Sequence, residues 1–217
     1  MKRLLLAETP CWRVIAARHP PLALFEQVAS LDEFEALHEL EAAFSPHYDE
    51  VTLLLTLPRD QWQYGPGSGY VMAPFAYRNP SRFSDGSFGV YYAGLELETA
   101  IREVAFHRGE FMARTQEPPS ILEEQVLRAR ISGDLADIRA EQSDHREWYS
   151  PAMDEYGPAQ ALGASLWRQG EAGLACASVR RPGGQCVAIL RPRAVSGCRQ
   201  LRPLRYVWDG MKIAGWA

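Results

Sequence analysis

Apolar and polar positions along the chain alternate between two periods, and the changes of period outline its elements. Trp12 to Ala17 reads as a short strand that ends at His19-Pro20-Pro21. Ser30 and Glu33 make a capping box, and Leu31, Phe34, Leu37, Leu40 and Phe44 recur at helical spacing, predicting a helix over 31–44. Val51 to Leu57 is an apolar, β-prone run stopped by Pro58. From Tyr64 to Asp85 the chain is rich in Gly, Pro and Ser and reads as one long loop.

Further on, Phe88 to Ala93 predicts a strand. Leu97, Ala100, Ile101, Val104, Arg108, Phe111 and Met112 then trace the inner stripe of a helix over 97–112. Gln125–Ile131 predicts a strand, Asp134–Tyr149 a charged surface helix or loop, and Tyr156–Gln169 a helix capped by Gly170. Ala175–Val179 and Cys186–Leu190 flank a hairpin connection. A second hairpin is expected over Leu204–Trp208 and Met211–Trp216, turning at Asp209-Gly210. Strands and helices mix without regular βαβ alternation, so the expected class is α+β. The expectation is one compact domain over 1–217, with mixed or antiparallel sheets and flanking helices.

Composition narrows the function classes. With 47% apolar and 23% charged residues in 217, the chain can bury a core without a metal or a disulfide. The net charge of −4 carries no basic surplus, which argues against direct nucleic-acid or membrane binding. Cys11, Cys176, Cys186 and Cys198 are widely spaced and no histidines cluster, so free thiols are expected and no metal site. The apolar run Leu4–Ala7 is too short for a secretory signal, and no segment reaches transmembrane length, so the expected location is cytoplasmic.

Four places could carry chemistry. Arg82 precedes a glycine-containing loop that feeds a strand ending in Tyr91 and Tyr92. A guanidinium there suits phosphate oxygens and a tyrosine suits a flat ring; the bland alternative is a surface arginine before a tight turn. Glu103 falls on the shoulder of the helix's apolar stripe, beside Ala100 and His107, as a cleft carboxylate or a solvated flank residue. Arg13 lies in an apolar strand and either snorkels at a sheet edge or enters a polar pocket. Ser178 binds phosphate or ribose, or satisfies neighbouring backbone; no GxSxG elbow surrounds it. Gly65-Pro66-Gly67-Ser68-Gly69 lacks a following Lys-Ser/Thr and is read as loop.

Together these pieces resemble the RES family, named for an arginine, a glutamate and a serine. Cys11-Trp12-Arg13-Val14 resembles its opening strand, and Arg82-Phe83-Ser84-Asp85-Gly86 with Val90-Tyr91-Tyr92-Ala93 its loop and tyrosine strand. Glu98-Thr99-Ala100-Ile101-Arg102-Glu103-Val104 resembles the helix of the family glutamate. The stretch from Gly173 through Ser178 to Arg180, backed by Gly183-Gly184-Gln185, resembles the serine strand and hairpin. The resemblance spans about residues 11–190. Phe83 and Ser84 stand where the family has Trp-Asn. Counting from Ala93 makes Tyr91 the family tyrosine, and counting back from Glu103 makes it Tyr92.

The resemblance implies a fold similar to diphtheria-toxin-type ADP-ribosyltransferases and a toxin that consumes NAD as substrate. Glu103, Arg82 and Tyr91 are then catalytic, and Arg13, Arg82, Tyr91, Tyr92 and Ser178 bind the dinucleotide. It also implies an Xre-like helix-turn-helix antitoxin as partner, often with dimeric assembly. Hydrolysis, phosphorolysis and mono-ADP-ribosylation of a protein stay open as reactions, as does a non-catalytic nucleotide- or partner-binding module.

Overall fold

The computed structural model describes residues 1–19, 25, 26, 33 and 57–217. The predicted helix over 31–44 and most of the strand predicted from Val51 to Leu57 lie outside the described residues.

The fold is α+β, organised on one long strand. β1 (Lys2–Ala16) runs antiparallel to β3 (Ser120–Asp137) with Val14 opposite Val126. The strand predicted from Trp12 thus extends back to Lys2. Pro10 and the kink at Glu8, whose φ is +49, hid that half from the pattern. Among the described residues β1 has β3 as its only ladder partner at that point, where a proline is tolerated. The other edge of β3 is shared by β6 (Val195–Trp208), antiparallel over 120–131, and β4 (Gly173–Ala177), parallel at Ala136 and Asp137.

Beyond β4 come β5 (Gln185–Ile189) and β2 (Tyr91–Gly94), both antiparallel to their neighbours. The pairing of Gly94 with Trp12 then brings β2 back to β1, so β1, β2, β5, β4 and β3 close a ring. β7 (Ile213–Trp216) extends the other end beside β6. Its connection to β6 spans residues 209–212 and not the expected two, with the Asp209 carboxylate accepting the N–H groups of Met211 and Lys212 at 2.8 Å each.

Helices cover the sheet. α1 (Ser68–Ala76) falls inside the segment expected to be loop throughout. Its glycines and Pro74 speak against a helix, but Val71, Met72, Phe75 and Ala76 are buried, and that burial outweighs propensity. Gly67 enters it at φ +84, and a Cβ there would lie 1.8 Å from the Cys198 carbonyl oxygen. α2 (Leu97–Arg114) and α3 (Gly157–Arg168) follow the predicted helices closely. The charged 134–149 stretch finishes β3 and then forms two 3₁₀ turns, Arg139–Gln142 and Arg146–Tyr149.

β5 shows why the interior strands read as continuous apolar runs. Val187 and Ile189 enter the cluster beneath α1, whereas Cys186, Ala188 and Leu190 enter the one beneath α3. Both faces are dry, so neither needs polar residues. A third cluster, with Val14, Val126, Leu204 and Tyr206, lies under Ala100 and Ile101 of α2.

Candidate active site

A cavity of about 440 Å³ opens where β1, β2, α2 and the start of α3 converge. Arg13, Arg82, Tyr92, Glu103, His107 and Tyr156 are among its walls, with Cys176 and Cys186 also lining it. Burial pushes the Cys176 thiol up to about 12 and Cys186 well above its ordinary value, so both stay protonated at neutral pH. The thiols are therefore apolar lining, not nucleophiles.

Glu103 is placed by the β2–α2 corner. Gly94 lets α2 come close: a Cβ there would be 2.7 Å from the Ala100 nitrogen. Thr99 donates to the Glu96 carboxylate at 2.6 Å, fixing the first turn. With Ala100 and Ile101 buried, Glu103 faces the cavity, half-buried. Its Oε1 accepts the Ser178 hydroxyl at 2.5 Å, and the Cys186 thiol lies at 3.9 Å.

Ser178 does not line the cavity. Its Oγ accepts the N–H groups of Arg180 and Arg181 at 3.1 and 2.9 Å while donating its proton to Glu103. The hydroxyl is thus committed to the hairpin turn and the carboxylate, which makes Ser178 a positioning residue for Glu103. The hydroxyl expected to bind phosphate or ribose here gives its proton to the Glu103 carboxylate.

Tyr91 and Tyr92 are separated by the strand's alternation. Tyr92 lines the cavity; its hydroxyl donates to Ser81 Oγ at 3.0 Å and accepts the Phe83 N–H at 2.9 Å, pinning the loop that carries Arg82. Tyr91 points the other way, fully buried in the cluster under α1. The expectation that Tyr91 stacks a ring in the site is therefore corrected: its ring lies 4.9 Å from the Arg13 guanidinium and supports that residue instead. Arg13 Nη1 donates to the Tyr92 carbonyl at 3.1 Å, and desolvation pulls its pKa below the usual arginine value. It stays charged all the same.

Arg82 is held as firmly. Nη1 donates to the carbonyls of Ser150 at 2.8 Å and Trp148 at 3.3 Å, Nη2 to the Tyr156 hydroxyl at 3.3 Å, and the guanidinium lies 4.4 Å from the Tyr156 ring. From α3, Gln160 binds the Ser81 carbonyl at 3.0 Å, and Gly163 leaves room for the Phe83 carbonyl, 1.9 Å from where a Cβ would sit. One fixed cation, Arg82, one carboxylate and several ring faces thus share one recess, with Arg13 at its wall and its guanidinium turned to the Tyr91 ring. Tyr156, Gln160, Trp12 and His107 were not foreseen as site residues. Tyr156 and Gln160 come from a helix more than 50 positions beyond Glu103, with no local signal to mark them.

The chain matches the RES domain over residues 54–209, most of its length. It belongs to the RES domain family. Arg82, Tyr92, Glu103 and Ser178 fall within the matched span, whereas Arg13 precedes it. The RES chain is 30% identical over 208 residues to a Sinorhizobium fredii (strain NBRC 101917 / NGR234) protein described as uncharacterized protein y4oC, covering 94% of this chain and 84% of the relative. Among solved structures it is similar to the M. tuberculosis MbcT–MbcA toxin–antitoxin complex, with TM-score 0.48 and 13% identity, covering 91% of this chain and 86% of that one.

Proposed function

We propose that this RES protein is the toxin of a toxin–antitoxin pair and depletes NAD by cleaving its nicotinamide–ribose bond. The observation that carries the reading is one oriented carboxylate, Glu103, in a cavity that also presents Arg13 and Arg82. Family membership supports the toxin assignment and, with it, an Xre-like antitoxin as partner and the cytoplasm as the place of action. At about 440 Å³ the cavity is of ordinary size for a small-molecule site.

Cleavage of this bond passes through an oxocarbenium-like state, as glycoside hydrolysis does. Nicotinamide leaves as a neutral base and needs no acid, while positive charge grows on the ribose. The Glu103 carboxylate stabilises that charge, and Ser178 keeps it in one orientation so that little reorganisation is needed during the reaction. Arg13 and Arg82 neutralise the pyrophosphate, and Tyr92, rather than Tyr91, offers the ring at the nicotinamide end. Water and phosphate are both acceptors consistent with this chemistry.

The test is chromatography of NAD incubated with the purified protein, with and without phosphate. Nicotinamide with ADP-ribose, or with its phosphorylated counterpart, supports the reading. Intact NAD in both reactions overturns it.

A further inference from the structure

A water attacking the sugar must lose a proton, and Glu103 is poorly placed to take it. Its Oε1 is occupied by the Ser178 hydroxyl, and its role toward the ribose requires the ionised form throughout. The cavity wall carries one other residue that can accept a proton at neutral pH. His107 sits one helical turn after Glu103 on α2, so the two side chains project from the same side with Cβ atoms about 5–6 Å apart.

Resting on the NAD-cleaving reading above, we propose that His107 is the proton acceptor for the incoming water, which makes it a second catalytic residue on the Glu103 face of α2. The bond from ribose C1′ to the nicotinamide nitrogen breaks, and its electron pair leaves with nicotinamide. The water oxygen bonds to C1′, its proton passes to the imidazole nitrogen facing the cavity, and that proton is later released to solvent. The products are ADP-ribose, nicotinamide and one proton, so charge and atoms balance.

Three observations support this assignment. His107 lines the cavity and is exposed to solvent, with which it can exchange protons. Among the described residues its ring makes no hydrogen bond to a protein group, and it lies edge-to-face with the Phe106 ring, centroids 5.3 Å apart. Finally, its surroundings keep it neutral. Desolvation by the cleft walls is the largest influence and lowers its pKa below the ordinary histidine value. Of the charged groups that face it, Arg180 from the β4–β5 connection and Arg82 from the loop before β2 act in the same direction, while Glu103 and Glu110 on its own helix oppose them. A neutral imidazole at pH 7 is the form a base needs.

An approach for the water is also present. Met153 borders both the cavity and an adjoining open groove of about 510 Å³, where Phe106 and Glu110 of the same helix line the wall. His107 is itself exposed, so water reaches it from the solvent side.

The test compares wild-type protein with His107→Gln, which preserves polarity but cannot act as a base. Nicotinamide release is followed against pH in water, and again with sodium azide as a nucleophile that carries no proton to lose. Hydrolysis by the variant should fall by about 10²-fold or more. The low-pH limb of the wild-type profile, where rate drops as His107 becomes protonated, should disappear. Azide should restore nicotinamide release to near the wild-type azide rate, with ADP-ribosyl azide as product and KM for NAD unchanged. Wild-type hydrolysis and an unchanged pH profile in the variant would overturn the proposal while leaving NAD cleavage standing. So would a loss that azide does not restore, since that marks a binding or structural role. If wild-type protein releases no nicotinamide under any condition, the underlying function is wrong and the base role falls with it.

Discussion

The Ser178 hydroxyl donates to Glu103 Oε1 at 2.5 Å while accepting two backbone N–H groups from the turn that follows it. A serine just past the end of β4 and a glutamate 75 residues earlier on a helix are thereby joined into one unit. The hairpin turn fixes the serine, and the serine fixes the carboxylate. Its consequences can be measured separately from the chemistry.

Ser178→Ala removes the donor to Glu103 and leaves two backbone N–H groups without their acceptor. A stability loss of about 1–3 kcal/mol is expected, seen as a lower urea midpoint at unchanged slope. Because Glu103 remains, kcat should fall far less than on losing the carboxylate, with KM for NAD nearly constant. A variant whose KM rises while kcat holds would make Ser178 a substrate-binding residue.

The two adjacent tyrosines should behave differently. Tyr92→Phe breaks the bonds to Ser81 and the Phe83 N–H, loosening the Arg82 loop, so NAD affinity should weaken several-fold in calorimetric titration. Tyr91→Phe should leave affinity close to wild type. Tyr91→Ala should cost about 3–5 kcal/mol of stability, since a fully buried ring is replaced by a cavity. Equal affinity losses in the two Phe variants would contradict the alternation of β2.

Beneath α2, Glu124 is only 2% exposed and paired with Arg108 at 2.7 Å. Desolvation raises the Glu124 pKa despite that partner. The folded state therefore holds its proton more tightly than the unfolded chain does. This contribution to stability is complete below the unfolded carboxylate pKa and is lost as pH rises through the higher folded value. Arg108→Ala removes the compensating charge, so the variant should lose about 3–5 kcal/mol at pH 7 and markedly less near pH 4.5. Thermal melts at the two pH values check this, and an equal loss at both would show that the guanidinium contributes packing alone.

Much of the fold was legible because its elements repeat cleanly. The stripe from Leu97 to Met112 marked α2, and the apolar runs around Ala175 and Val187 marked β4 and β5. α1 was not legible, since its Gly and Pro residues suggest loop and only its burial under the sheet makes it a helix. The first half of β1 was hidden by Glu8 and Pro10, which interrupt its apolar pattern. In the site, Arg13, Arg82, Glu103 and Ser178 stood out by resemblance, but their contacts did not. Strand parity decides which tyrosine faces the cavity, and an uncertain strand boundary leaves that parity open. Tyr156 enters the site through tertiary packing, to which no local pattern responds, whereas His107 follows Glu103 by one helical turn.

The central claim is that the Glu103 carboxylate faces the ribose as nicotinamide departs. Its most direct measurement is the rate of nicotinamide release by Glu103→Gln against wild type, at matched folded fraction. A fall of about 10²–10³ is expected, with the melting temperature little changed. Release by the variant at the wild-type rate would contradict it.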